Sequence, residues 1–371
     1  MKRYSINLIV ISLVSFCLFG CKNVGTTKVS ATGSIYECLV VIPEGVLTEE
    51  QLSILRENHI GEATGSAYDE PIGTVYELVK ATLGAPMPCL PQIEPYFKVS
   101  SVTPELFDAV LAPSRNILYV DINADRYTQL KAKAATDVWS HPQAFYQVQS
   151  PSVDEFVHFW LNNGKAVRDW FVKQELTRQL SFYKAATNHE ARALLNEVTG
   201  MDLWISEDYM FLDSLTLSGE TNVLWFCNNK GSSRTDLIVY SYPYTDANTF
   251  SYDYLNNKRD EVLSMVVTAS VPGSFMGTEY KVIPPEMRQV EPLVQDSTTK
   301  GQFYAMEVRG LWKIINGEAM GGPYVSHTRI NPNNQRVTTA EVYVLAPGQK
   351  KRNILRKGEA QLYSWTWVKK E

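Results

Sequence analysis

Apolar positions fall into three kinds of run along this chain: one unbroken block at the start, strand-length runs, and stripes at helical spacing. The block over residues 6–19 is about fourteen residues long, too short to span a ~30 Å hydrocarbon core as a helix. The strand-length runs predict strands at 38–42, 96–102, 116–122 and 144–149. Between them, Val75, Leu78, Val79 and Leu83 share one face of a helix over 74–83 that stops at Gly84. A longer helix follows, with Ser152 and Glu155 as a capping box, Phe156, Trp160, Val167 and Trp170 on one face, and Gly164 as a point of bending. Asn188 caps a further helix over 190–198 that ends at Gly200.

The pattern then restarts. Strands are predicted at 202–205, 210–215, 222–228 and 237–242, with a turn at Gly231-Ser232-Ser233-Arg234. Residues 222–228 parallel 116–122, and Phe250-xxxx-Leu255-Asn256-Asn257 parallels Phe156-xxxx-Leu161-Asn162-Asn163, which suggests a diverged duplication of an α/β unit. From 303 the pattern becomes an antiparallel meander, 303–315, 324–330, 337–345 and 362–367, with turn chemistry at Asn331-Pro332-Asn333-Asn334 and Pro347-Gly348-Gln349. These elements predict an α+β fold, with antiparallel sheets covered on one face by helices. The expected organisation is a leader over 1–20, a tether over 21–33, a first α/β lobe over 34–185, and a second over 186–371 that carries the meander.

Lys2 and Arg3 precede the initial apolar block, and Leu18-Phe19-Gly20-Cys21 closes it, the layout of a lipoprotein leader cut before Cys21. Lipid on Cys21 would hold the chain at a membrane, since each buried methylene contributes about 0.8 kcal/mol and stable anchoring takes more than one acyl chain. Setting aside Lys2 and Arg3 leaves 33 basic against 40 acidic side chains, a balance that argues against a nucleic-acid partner. No acidic cluster follows Cys21, so the expected location is the periplasmic side of the outer membrane. Cys38, Cys89 and Cys227 remain in the mature fold and allow one disulfide at most; Cys38 and Cys227 lie in apolar runs and read as small buried hydrophobes.

Arg309-Gly310-Leu311-Trp312 and Met320-Gly321-Gly322-Pro323-Tyr324 resemble the C-terminal motif of a Bacteroidota lipoprotein family, the domain of unknown function 4837. The leader, the length and the strand near Cys38 are similar to that family too, so the resemblance extends over nearly the whole mature chain. It implies an exported location and that phylum, and it brings no activity and no catalytic residues.

Motifs for chemistry are sparse. His59, His141, His158, His189 and His327 make no metal-ligand spacing; His189-Glu190 begins like a zinc-protease helix, but Ala193 stands where the second histidine belongs. No Gly-x-Ser-x-Gly elbow, Walker loop or dinucleotide turn occurs, so no metal or cofactor is expected. Met320-Gly321-Gly322-Pro323, flanked by Trp312 and Tyr324, is the candidate ligand or partner loop: its glycines permit positive φ and close backbone approach, and a tight turn is the plainer reading. Lys350-Lys351-Arg352 with Arg356 and Lys357 reads as a basic, solvated hairpin able to touch anionic lipid. The expectation is a non-catalytic, lipid-anchored envelope protein that binds a partner protein or a glycan. The alternative is a periplasmic hydrolase of glycan or peptide with two carboxylates about 5–9 Å apart in a cleft.

Overall fold

The computed structural model describes residues 28–58, 71–294 and 305–368. Cys21 and most of the expected tether lie outside the described residues, as does His59. The last part of that tether is already paired to the body: Val29 and Ser30 run parallel to Ser140 and His141.

The first lobe is a five-stranded sheet built from β1 (Glu37–Val41), β2 (Lys98–Val102), β3 (Asn116–Ile122), β4 (Lys131–Thr136) and β5 (Ala144–Ser150). Its order is β2-β1-β3-β5-β4, parallel throughout except for β4. Helices α1 (Glu49–Glu57), α2 (Val75–Leu83) and the 33-residue α3 (Val153–Ala185) cover one face. Cys38, Val40, Leu118, Val120 and Val148 meet Val79, Phe156, Trp160 and Phe171 there in one core. Thr74 and Glu77 form a reciprocal capping box, while at Ser152 only the serine half is made. Gly164 lets α3 run on unbroken: a Cβ there would come within 2.9 Å of the buried Trp160 indole, so the glycine makes room for a ring.

The second lobe begins with α4 (His189–Thr199), capped by Asn188 and closed by left-handed Gly200. Its eight-stranded antiparallel sheet comprises β6 (Met210–Leu217), β7 (Thr221–Lys230), β8 (Ser233–Pro243), β9 (Phe275–Glu279), β10 (Glu286–Val290), β11 (Ala305–Ile315), β12 (Gly321–Asn331) and β13 (Arg336–Leu345). The order is β9-β11-β12-β13-β8-β7-β6, with β10 also on β11. The β7–β8 hairpin turns at Gly231, as its sequence predicts. The fold is α+β with a C-terminal antiparallel meander.

Three expectations change in detail. The sheet of the second lobe is covered on both faces. Leu237, Val325 and Val342 pack under α4 and α6 (Arg352–Leu362), while Ile238, Tyr324 and Tyr343 pack under α5 (Tyr252–Val266). That is why β12 and β13 are buried almost end to end instead of alternating. The expected repeat is not carried by the strand pairing: β3 and β5 are parallel, whereas β7 and β8 are antiparallel. Edge strand β4, Lys-Ala-Lys-Ala-Ala-Thr, reverses the chain between β3 and β5, and its short, charged sequence gives no apolar signal. Finally, the basic segment near the C-terminus is a helix packed into the fold, with Lys351 and Arg356 buried and Lys357 left exposed. Pro347-Gly348 does turn, with Gly348 at φ +69°, but Arg352 onward is α6, and Arg356 is 3% exposed.

Helix α6 belongs to both lobes. Leu355 and Leu362 enter the core of the second sheet, and Ala360 and Tyr363 enter the core of the first. Its first turn has no local side-chain cap. Instead Glu94, buried, accepts from the backbone amides of Lys351 (2.5 Å) and Arg352 (3.2 Å), so a carboxylate from the first lobe meets the positive end of the helix.

Candidate functional site

The candidate loop is strand, and its aromatic flanks face inward. Gly321, Gly322, Pro323 and Tyr324 belong to β12 and pair with Lys313, Trp312, Leu311 and Gly310. Met320 lies partly buried against the same core. A Cβ on Gly322 would fall 2.0 Å from the Val344 carbonyl oxygen, so this glycine serves close strand approach. Trp312 is 3% exposed and donates its indole N–H to that same oxygen; Tyr324 is fully buried, under the Arg259 guanidinium. The pair is core, not platform.

Charged residues set inside otherwise apolar strands form a network that pattern reading missed. Glu307 of β11 is fully buried. It accepts from Arg288 Nε (2.7 Å), Arg309 Nε (2.9 Å) and the Tyr363 hydroxyl (3.1 Å), and its register partner His327 lies 3.3 Å away. Arg309 reaches on to Glu359 of α6 at 2.6 Å, and Arg356 holds the same carboxylate. Burial pushes Glu307 up, but Arg309, His327 and Arg288 outweigh it and hold the carboxyl well below its usual range. Paired this way, the network fastens α6 to the sheet.

The open chemistry lies between the lobes, in a cleft of about 620 Å³, within the ~300–1,000 Å³ typical of small-molecule sites. The first lobe supplies Arg115 at the start of β3 and Arg178, Phe182 and Tyr183 from α3; the second supplies Asp208, Lys230 and, from α6, Ile354 and Lys357. Beneath the arginines sits Glu175, its side chain 1% exposed. It takes Arg115 through Nε and Nη2 (2.8 Å each at the nearest), Arg178 Nη1 (2.9 Å) and Asn116 Nδ2 (2.8 Å). Arg178 also donates to the Arg115 carbonyl and to Asn116 Oδ1, so its orientation is fixed. Burial lowers Arg178 and raises Tyr183, whose hydroxyl donates to the Lys357 carbonyl at 3.0 Å. At the rim Lys230 meets Asp208 at 2.5 Å. The arrangement can hold an anion in place. The signal that could have found it is weak, Arg115-Asn116 heading one strand and Glu175 to Arg178 on one helix turn.

Among the described residues no group of three His, Cys, Asp or Glu side chains could hold a metal ion. Cys38, Cys89 and Cys227 are free and buried, and burial pushes the Cys38 thiol up to about 12 and that of Cys89 to about 11. Also among the described residues, no helix is long and apolar enough to cross a membrane.

Residues 188–364 match the family model described as domain of unknown function DUF4837, and residues 67–184 match a second domain of unknown function, DUF8532. The expected resemblance is thus matched over the second lobe, including the motif around Arg309 and Gly322, while a separate model takes most of the first. No curated protein matches the chain.

Proposed function

We propose that this chain is a lipid-anchored envelope protein, held through Cys21 at the periplasmic side of the outer membrane, that binds its ligand in the interlobe cleft without turning it over. The observation that carries this reading is the state of the cleft's charges. Asp208 is the carboxylate on its lining and is engaged by Lys230, while Glu175 lies behind two arginines. Hydrolysis of a glycan by paired carboxylates needs two such groups facing the substrate about 5–9 Å apart. Fixed cations over a rigid floor suit recognition instead.

Two experiments test it. Given envelope glycan fragments and peptides, the purified chain is expected to yield no product; turnover that Asp208→Asn abolishes would overturn the binding reading in favour of a hydrolase. Metabolic labelling with an alkyne analogue of palmitate is expected to tag the wild-type chain and not Cys21→Ala. Equal labelling of both would remove the anchor from the account.

A further inference from the structure

We infer that the interlobe cleft selects an amphiphile with an anionic head, a phosphate or carboxylate borne on an apolar tail. This deepens the binding reading above and rests on the cleft being the site. The cleft is positively charged. Arg115, Arg178, Lys230 and Lys357 line the cleft, against Asp208 on the lining and Glu175 beneath it, so two positive charges stand in excess. The chain as a whole carries a formal net charge of −5, so the cleft runs against the molecule's balance and concentrates anions locally.

The same cations keep unused donor capacity on a fixed frame. Arg115 spends Nε and Nη2 on Glu175 and leaves Nη1 with no acceptor among the described residues. Lys357 is exposed, has its backbone fixed by the Tyr183 hydroxyl, and its ammonium makes no ion pair among the described residues. A guanidinium held in one orientation and an unpaired ammonium on the same lining can both take phosphate or carboxylate oxygens.

The wall of the cleft is apolar. Ile35, Pro142, Phe182 and Ile354 line the same space, and Phe182 stays 56% exposed although it sits on a helix whose inner face is fully packed. An apolar tail laid on Phe182 and Ile354 would remove that surface from water. A free amphiphile and a lipid headgroup in a bilayer share this chemistry.

The test uses the mature full chain carrying Cys21→Ser, so that no acyl group of its own competes, with octyl phosphate followed by calorimetry. We expect saturable one-to-one binding, weakened about tenfold by Lys357→Glu, an exposed position whose exchange leaves the fold intact. Octyl glucoside and octylamine, which share the tail, are expected to bind far more weakly, and inorganic phosphate to bind weakly at the same place. Phosphatidylcholine–phosphatidylglycerol vesicles that compete with octyl phosphate would identify a bilayer headgroup as the source; vesicles that do not compete would identify a free ligand. No saturable binding of octyl phosphate, or binding indifferent to Lys357→Glu, overturns the proposal. If octyl glucoside binds as tightly and is displaced by Phe182→Glu, the cleft remains the site and only the anionic class fails.

Discussion

Glu359 illustrates how much a single buried carboxylate can govern. It carries Arg309 on one side and Arg356 on the other, and all three are almost fully buried. A buried pair can be replaced as a unit at little cost, whereas deleting one partner strands the rest in a medium that solvates charge poorly. Glu359→Ala leaves two arginines short of their acceptor, and a loss of about 3–5 kcal/mol is expected. Urea unfolding checks it, with Glu261→Ala, whose exposed carboxylate pairs with Lys258, as a control within about 0.5 kcal/mol of wild type. Comparable midpoints for the two variants would show that the network contributes little.

Among the elements, α3 sets helix propensity against packing in one residue. Alanine is favoured over glycine inside a helix by about 1 kcal/mol, so propensity alone expects Gly164→Ala to stabilise. The added methyl, however, would sit 2.9 Å from two indole atoms of Trp160, which is 1% exposed and donates to Thr82 Oγ1 at 3.0 Å. That ring has nowhere to go. Overpacking of this kind costs about 1–3 kcal/mol, so the substitution is expected to lower the thermal midpoint and to disturb the near-ultraviolet signal of the tryptophan. A raised midpoint would mean the helix relaxes around the methyl. Helix α6 makes the complementary point: its basic residues read as a solvated hairpin until Glu94, Glu359 and two hydrophobic cores are seen around it.

For the whole molecule, the carboxylates decide the response to acid. Lys313 and the backbone amide of Lys281 hold Glu279 down to about 2, and Glu307 also lies well below the ordinary range. An unfolded glutamate titrates near ~4.3, so each binds its proton more weakly in the folded chain. Their contribution to stability is therefore present above about pH 4.3 and is lost as pH falls through the folded values. Glu341 runs the other way: burial raises it against the pull of Arg259, so its contribution is present at low pH and lost as pH climbs past its folded value. Glu37, Glu77, Glu105 and Asp137 are lowered as well, and the contribution of Glu341 is constant below about pH 4.3, so thermal midpoints are expected to fall between about pH 4.3 and 2. The fall should be shallower in Glu279→Gln, and an unchanged slope would remove Glu279 from the account.

Features that depend on neighbours a few positions away are legible in the residues alone. The helix over Val75–Leu83 with its stop at Gly84, the cap at Asn188 with its stop at Gly200, the turn at Gly231 and the first three strands of the meander stand where periodicity and turn chemistry put them. So do the buried Cys38 and Cys227. Their causes act within a turn or a pleat, and the residue types announce them. The strand expected at 362–367 does not form: Leu362 closes α6, and only Thr366–Trp367 is extended, paired with Met201–Asp202 outside the meander. Long-range packing fixes the rest: that β3 and β5 run parallel, that the larger sheet is covered on both faces, and that Gly321 to Tyr324 lie within a strand. The same holds for the charges. Arg309 meets Glu359 across 50 residues, Arg115 meets Glu175 across 60, and Lys351 meets Glu94 across 257. Whether a charged side chain is solvated or locked in a core depends on what the fold brings beside it, and no local pattern of residues carries that information.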